Sequence, residues 1–249
     1  MVHLVDFGAK VADFDFFSDG HNVNSLLLYP DFVLHKTGTP GIVMVPGHGR
    51  TAWDYVPIAL DFVREGFSCM IITQRGYGNS TGNPDFVGPG TQKSILEGLE
   101  LFRSLDFIDK EKIGIFGYSR GALAAYLATG KSRDISYTVL AAGVYDLEKF
   151  YFETSNERIK NNIEQETGAK EEAFLQRTLS DLDIIQGKIL IIHGENDPAA
   201  PVSQALELYD KLLDSGKNVV IKVFENQGHA IPKNLLMEII IPFLKDELL

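Results

Sequence analysis

The sequence predicts an α/β fold: an eight-stranded, mostly parallel sheet with helices on both faces and a small helical cap. Two observations predict it. Short runs rich in Val, Ile and Phe alternate with longer amphipathic stretches, the pattern of strand and helix taken in turn. Most of those short runs are also nearly continuous in apolar residues, as strands covered on both faces must be. At 249 residues the chain fits within one large core, so residues 1–249 are expected to form a single domain.

Taken in order, Val11–Phe17 and Ser25–Tyr29 flank the turn Ser18-Asp19-Gly20 and predict an antiparallel pair at the sheet edge. Ile42–Val45, Phe67–Thr73, Lys112–Phe116, Tyr137–Ala141, Lys188–Ile192 and Val219–Phe224 predict buried strands. Helical patterns lie between them. Trp53–Glu65 stops at Gly66, Thr91–Leu105 follows, Arg120–Thr129 stops at Gly130, and Ser203–Ser215 stops at Gly216. Asn234–Leu248 carries Pro242 inside its pattern and is expected to kink or restart there. The long departure from alternation is Tyr145–Leu182, too polar and too helical for another sheet unit. It is expected to be a helical cap inserted at residues 145–182.

Composition removes several classes of function. With 45% hydrophobic and 23% charged residues, the chain is neither disordered, collagen-like nor a coiled coil. Its 34 acidic against 23 basic residues give a net charge of −11, which repels phosphate backbones, so no nucleic-acid partner is expected. No apolar run reaches the roughly 18 residues that would span a bilayer, and Met1–Asp6 lacks the basic and apolar regions of a signal peptide. A cytoplasmic protein without membrane attachment is expected. The single cysteine, Cys69, allows no internal disulfide. The six histidines show no H-x-x-x-H or H-E-x-x-H spacing, so a metal site is unsupported, and no organic cofactor is implied.

The strongest chemical signal is Gly117-Tyr118-Ser119-Arg120-Gly121, set between the strand Ile113–Phe116 and the Ala-rich helix that follows. A sharp strand-to-helix turn lifts the serine hydroxyl above the sheet, while glycines on either side let backbones approach closely. Serine becomes nucleophilic only when a base takes its proton and an acid orients that base. An acid is available in His193-Gly194-Glu195-Asn196-Asp197-Pro198, after the strand Lys188–Ile192. Asp197 is preferred over Glu195 because Pro198 and Pro201 stiffen the loop that presents it. The base is His229, in Gly228-His229-Ala230 after the last strand. His3, His21 and His35 are read as solvated or structural, and His193 as a packed residue steadying the acid loop. Donors for a developing oxyanion are expected from the backbone N–H of Arg120 and of His48, the latter in Pro46-Gly47-His48-Gly49.

The order Ser119, Asp197, His229 is that of α/β-hydrolases, which the chain resembles from about Asp13 to Leu244. The segments Gly47–Asp54 and Gln74-Arg75-Gly76-Tyr77-Gly78-Asn79-Ser80 are similar to the oxyanion loop of those enzymes and to their R-G-x-G-x-S loop. It departs from the family at Pro46, often His, and at Thr73, often Asp; both positions bear on loop bracing. His193-Gly194-x-x-Asp197 and Gly228-His229 most resemble the catalytic domain of prolyl oligopeptidase-like peptidases and related small esterases. The resemblance implies a serine hydrolase that forms an acyl-enzyme on Ser119. The absence of room for a propeller domain leans the expectation toward a carboxylic ester. A small peptidase or aminoacyl amidase, and a non-catalytic ligand-binding member of the fold, are the alternatives. The substrate is expected to be a small ester or short peptide-like molecule, bound among Trp53, Tyr77, Tyr145, Phe150 and Phe152. Phe150 and Phe152 equally suit packing of the cap, and Arg120 suits either a substrate carboxylate or an internal acid.

Overall fold

The fold is described from a computed structural model covering residues 2–5, 8–31 and 38–248, with side chains described for 8–31 and 38–246. His35 and the His3 side chain lie outside the described residues. In chain order the elements are β1 (Val2–Val5), β2 (Ala9–Asp13), β3 (Phe16–Ser18), β4 (His21–Val23), β5 (Ser25–Pro30) and β6 (Thr39–Val45). Then come α1 (Ala52–Arg64), β7 (Ser68–Ile72), α2 (Pro89–Arg103), β8 (Ile108–Tyr118), α3 (Arg120–Thr129) and β9 (Tyr137–Ala141). Three short helices follow, α4 (Leu147–Glu153), α5 (Glu157–Thr167) and α6 (Glu171–Leu175), before β10 (Lys188–Gly194), α7 (Val202–Asp214), β11 (Val219–Phe224) and α8 (Lys233–Leu248).

The eight expected strands join one sheet, extended by β1 at its edge, in the order β1-β2-β5-β7-β6-β8-β9-β10-β11. β1, β2 and β5 pair antiparallel to their neighbours; from β7 to β11 every pairing is parallel. Strand parity divides the core. Val43, Val45, Ile113, Ile115, Ile189 and Ile191 face one side, packed with α2, α3 and α7. Ile42, Met44, Phe116, Leu190 and Ile192 face the other, packed with α1 and α8. Cys69 is wholly buried in this second layer. Among the described residues no helix is long and apolar enough to cross a membrane.

Two elements differ from expectation. The run from Val11 to Phe17 divides because the Asp15 carboxylate accepts the Ser25 N–H (3.0 Å) and the Asn24 side-chain amide (2.9 Å). Beyond it, β3 and β4 form a separate hairpin turned at Asp19 and Gly20, both at positive φ. Pro242 does not interrupt α8. Pro242 and Glu238, whose carbonyl loses its partner, both lie on the exposed side, where that carbonyl is open to solvent.

Candidate active site

The loops that close on the site all leave the carboxyl ends of parallel strands, where α/β sheets place ligands. β8 runs straight into Ser119, which has φ 56° and ψ −124°, a strained conformation for a residue with a Cβ. Two glycines make that elbow possible. A Cβ on Gly117 would lie 2.0 Å from the Gly121 carbonyl oxygen, and one on Gly121 would lie 2.0 Å from that of Val45. The Ser119 N–H donates to the Ala141 carbonyl (2.8 Å), tying the elbow to β9.

The structure brings Ser119, His229 and Asp197 together from three separate loops. Ser119 Oγ lies 2.9 Å from His229 Nε2, and His229 Nδ1 lies 2.7 Å from Asp197 Oδ2. Asp197 Oδ1 accepts the N–H groups of Ala199 (2.8 Å) and Ala200 (2.9 Å). Burial by itself would push the Asp197 carboxyl up. Hydrogen bonds from His193, His229 and the Ala200 N–H outweigh it and hold the carboxyl well below the usual range, so it is ionised. His193 is fully buried, with Nε2 2.7 Å from the Ala200 carbonyl and 3.4 Å from Asp197 Oδ2, so it braces the acid loop. Tyr118 completes the frame: its hydroxyl donates to the His229 carbonyl and accepts the Ile231 N–H (2.9 Å).

Arg120 opens α3, so its N–H belongs to the first turn, which lacks intrahelical acceptors. Gly47 lies against the elbow: a Cβ there would come within 3.3 Å of Ser119 Cβ, which brings His48 alongside the nucleophile. Thr73 braces this loop, its hydroxyl accepting the Ala52 N–H (2.8 Å).

A cavity of about 760 Å³ opens over Ser119, lined by His48, Tyr55, Leu123, Val144, Phe150, Ile159 and His229 among others. The aromatic side chains expected there are only partly found there. Phe150 lines it. Phe152, two positions on along α4, points away and is 69% exposed. Trp53 is off the buried stripe Ala52, Tyr55, Ala59 of α1 and is half exposed outside the lining. Tyr145 is buried beneath the site against Tyr126, because the chain turns at Ala142 (φ 50°) and strand parity no longer applies. Tyr77 stands behind His48, its hydroxyl 3.1 Å from His48 Nδ1.

The Arg120 side chain pairs with an internal acid. Its Nη1 lies 2.8 Å from Glu166 Oε2 on α5, and both side chains are nearly buried. Glu166 was not singled out in the sequence, although Ile159, Ile163 and Glu166 share one helical face and a carboxylate on an apolar stripe was there to be read. Arg177, in the turn after α6, has no such signal in the sequence; it is buried and donates to the Phe86 and Asp85 carbonyls. The described residues gather no group of three or more His, Cys, Asp or Glu that could hold a metal ion.

The prolyl oligopeptidase family model matches residues 71–242. The uncharacterized peptidase YtmA of Bacillus subtilis is 27% identical over 229 residues, covering 87% of this chain and 85% of its own. Acetyl xylan esterase 1 from Thermoanaerobacterium sp. superposes with a TM-score of 0.78 at 16% identity, over 99% of this chain and 87% of its own. The acylaminoacyl peptidase of Pyrococcus horikoshii superposes at 0.82 with 20% identity, over 98% of this chain. The chain spans only 42% of that peptidase and 34% of a second B. subtilis relative, the uncharacterized peptidase YuxL.

Proposed function

The chain belongs to the prolyl oligopeptidase family of serine hydrolases, and from that premise we propose that it hydrolyses carboxylic esters through an acyl-enzyme on Ser119. The observation that carries this reading is the continuous relay from Ser119 Oγ through His229 to Asp197, at 2.9 and 2.7 Å. His229 Nε2 takes the hydroxyl proton as Oγ attacks the carbonyl carbon. The ionised Asp197 holds Nδ1–H and stabilises the imidazolium that forms. The N–H groups of His48 and Arg120 receive the oxyanion as the tetrahedral intermediate develops. His229 then returns the proton to the leaving alcohol. A water, activated by the same imidazole, releases the acid and regenerates the serine. Helices α4 to α6 serve as a cap, with Phe150 and Ile159 as its contribution to the acyl pocket.

The charges around the cavity favour esters over substrates with a free α-amino group. Its lining carries Arg50, Arg120, Arg158 and Lys233 and one carboxylate, Asp54; Arg50 pairs with Asp54 (3.3 Å), Arg120 with Glu166 (2.8 Å) and Lys233 with Asp61 (2.7 Å). An ammonium group entering there would meet no unengaged carboxylate. A second reading, cleavage of N-blocked peptides, draws support from the peptidase names among the relatives and uses the same residues.

The test is a panel of p-nitrophenyl esters of increasing acyl length beside prolyl and aminoacyl arylamides. Ester turnover, abolished by Ser119→Ala, is expected together with labelling of Ser119 by a fluorophosphonate. Faster turnover of the arylamides would move the assignment to peptidase. Undiminished ester hydrolysis by Ser119→Ala would refute the nucleophile.

A further inference from the structure

We infer that Glu166 is a positioning residue for the oxyanion hole: this one carboxylate of α5 gathers the side chains of both residues assigned to oxyanion binding, Arg120 and His48. The inference rests on the proposed function and deepens it.

Two routes lead from the same carboxylate. In the direct one, Arg120 Nη1 donates to Glu166 Oε1 (3.0 Å) and Oε2 (2.8 Å). The indirect one runs through Tyr77. A phenol has one proton to donate. The Tyr77 hydroxyl lies 3.0 Å from Glu166 Oε1, 2.7 Å from Arg120 Nη1 and 3.1 Å from His48 Nδ1. Burial pushes the Tyr77 pKa up to about 12, so that proton stays, and an ionised carboxylate is the strongest acceptor within its reach. With the proton directed to Glu166, the Tyr77 oxygen accepts from Arg120 Nη1 and from His48 Nδ1. Burial and the Arg120 charge lower the His48 pKa and keep the ring neutral, so a proton on Nδ1 leaves Nε2 as an acceptor. The group facing Nε2 is a donor, the Asn162 side-chain amide at 3.5 Å, from the same helix as Glu166. The proton inventory therefore closes around the ring in one consistent way.

Glu166 also fixes the floor beneath Arg120. Its Oε2 accepts the Phe86 N–H (2.7 Å), holding Phe86 at φ 42°, and the Arg120 guanidinium lies 3.9 Å from the centre of the Phe86 ring. Tyr77, Phe86 and Arg120 thus meet at one acid. The Arg120 and Glu166 side chains are only 4% and 11% exposed. A buried pair of this kind is a poor source of net stability compared with apolar packing. Its location one residue from the nucleophile suits a role in geometry, because oxyanion donors act only when aimed where charge develops.

Glu166→Gln tests this with little change of shape. The amide keeps one acceptor and turns two N–H groups toward donors that need a carboxylate. The expected result is a fall in kcat of about 10- to 100-fold, as for a donor displaced and below the roughly 10²- to 10³-fold of one lost outright, with KM within about threefold. Affinity for an alkyl trifluoromethyl ketone, which forms a hemiketal oxyanion on Ser119, is expected to fall in proportion to kcat. Tyr77→Phe cuts the His48 route but keeps the ion pair, so it is expected to show the same pattern with a smaller loss, about three- to tenfold. This second variant keeps the test open should Glu166→Gln fold poorly. Parent-like kcat and ketone affinity in both variants would overturn the inference. So would a lowered melting temperature with unchanged kinetics, or a rise in KM alone, since either describes a purely structural or substrate-contacting residue. A parent enzyme with no Ser119-dependent turnover would instead overturn the proposed function, and this inference with it.

Discussion

Asp197→Asn is the sharpest test of the relay, because the hydrogen-bond inventory dictates what the amide must do. Asp197 Oδ1 accepts two backbone N–H groups, from Ala199 and Ala200, at 2.8 and 2.9 Å. An asparagine placing its NH2 there would set donor against donor twice and forfeit two bonds to its neutral carbonyl worth about 0.5–1.5 kcal/mol each. The amide therefore keeps its oxygen toward those groups and puts its NH2 where Oδ2 stood, 2.7 Å from His229 Nδ1. Nδ1 must then accept, so the ring proton moves to Nε2 and points at Ser119 Oγ, 2.9 Å away. In that tautomer the imidazole cannot take the serine proton. The expected loss in kcat is about 10³- to 10⁴-fold, or about 4 to 5.5 kcal/mol at about 1.4 kcal/mol per decade. The assay is p-nitrophenyl butyrate hydrolysis at neutral pH, normalised to folded protein by circular dichroism. A variant retaining more than about one tenth of parent kcat would refute the relay, since general-base assistance alone is worth at least about 10²-fold.

Four further outcomes follow from the same geometry. The Asp197 carboxyl is held below its ordinary value, so it contributes stability that is complete above the unfolded value of about 3.9 and is lost as pH falls from there through the native value; acid unfolding of Asp197→Asn is expected to be less steep below about pH 4 than that of the parent, and identical profiles would refute this. Gly121→Ala puts a methyl 2.0 Å from the Val45 carbonyl oxygen, a backbone atom that cannot rotate away, so a melting temperature lower by at least about 3 °C and loss of fluorophosphonate labelling are expected. Phe150→Ala is expected to shift ester preference toward longer acyl chains, whereas Phe152→Ala leaves the profile unchanged because that ring is 69% exposed outside the cavity; equal shifts would contradict the assigned lining. Burial raises the Cys69 thiol far above its usual range, so a disulfide reagent such as DTNB should not react with the native protein and should titrate one thiol after denaturation.

The sheet was readable because its signals are local. Strand runs such as Ile189–Ile192 are continuous in apolar residues, and their parity assigns each side chain to one of two helix layers without knowledge of the partner. The division at Asp15 was not readable: it depends on which backbone amide, Ser25's, comes within reach of a carboxylate ten positions away. The site follows the same rule. Ser119, Asp197 and His229 each stand in a loop just after a strand, so their meeting is a consequence of parallel strand order. The acyl pocket depends on helix phase instead. Moving two positions from Phe150 to Phe152 turns the side chain by about 200°, and no composition of aromatic residues determines which of them faces inward.

Charge shows the limit most directly. A net charge of −11 sums the whole chain, but free charges in water act over about 8 to 10 Å at physiological ionic strength. The substrate therefore responds to the mouth of the cavity. There Asp54 pairs with Arg50 and Asp61 with Lys233, so the nearby acids are already engaged and the local balance is not that of the whole chain. Glu166 is engaged in the same way, its charge paired with Arg120 and its oxygens committed to Arg120, Tyr77 and Phe86. An acidic chain thus offers an entrance without an unengaged carboxylate, and a free ammonium there would lose hydration with no opposite charge to replace it, a cost that a neutral acyl group does not meet.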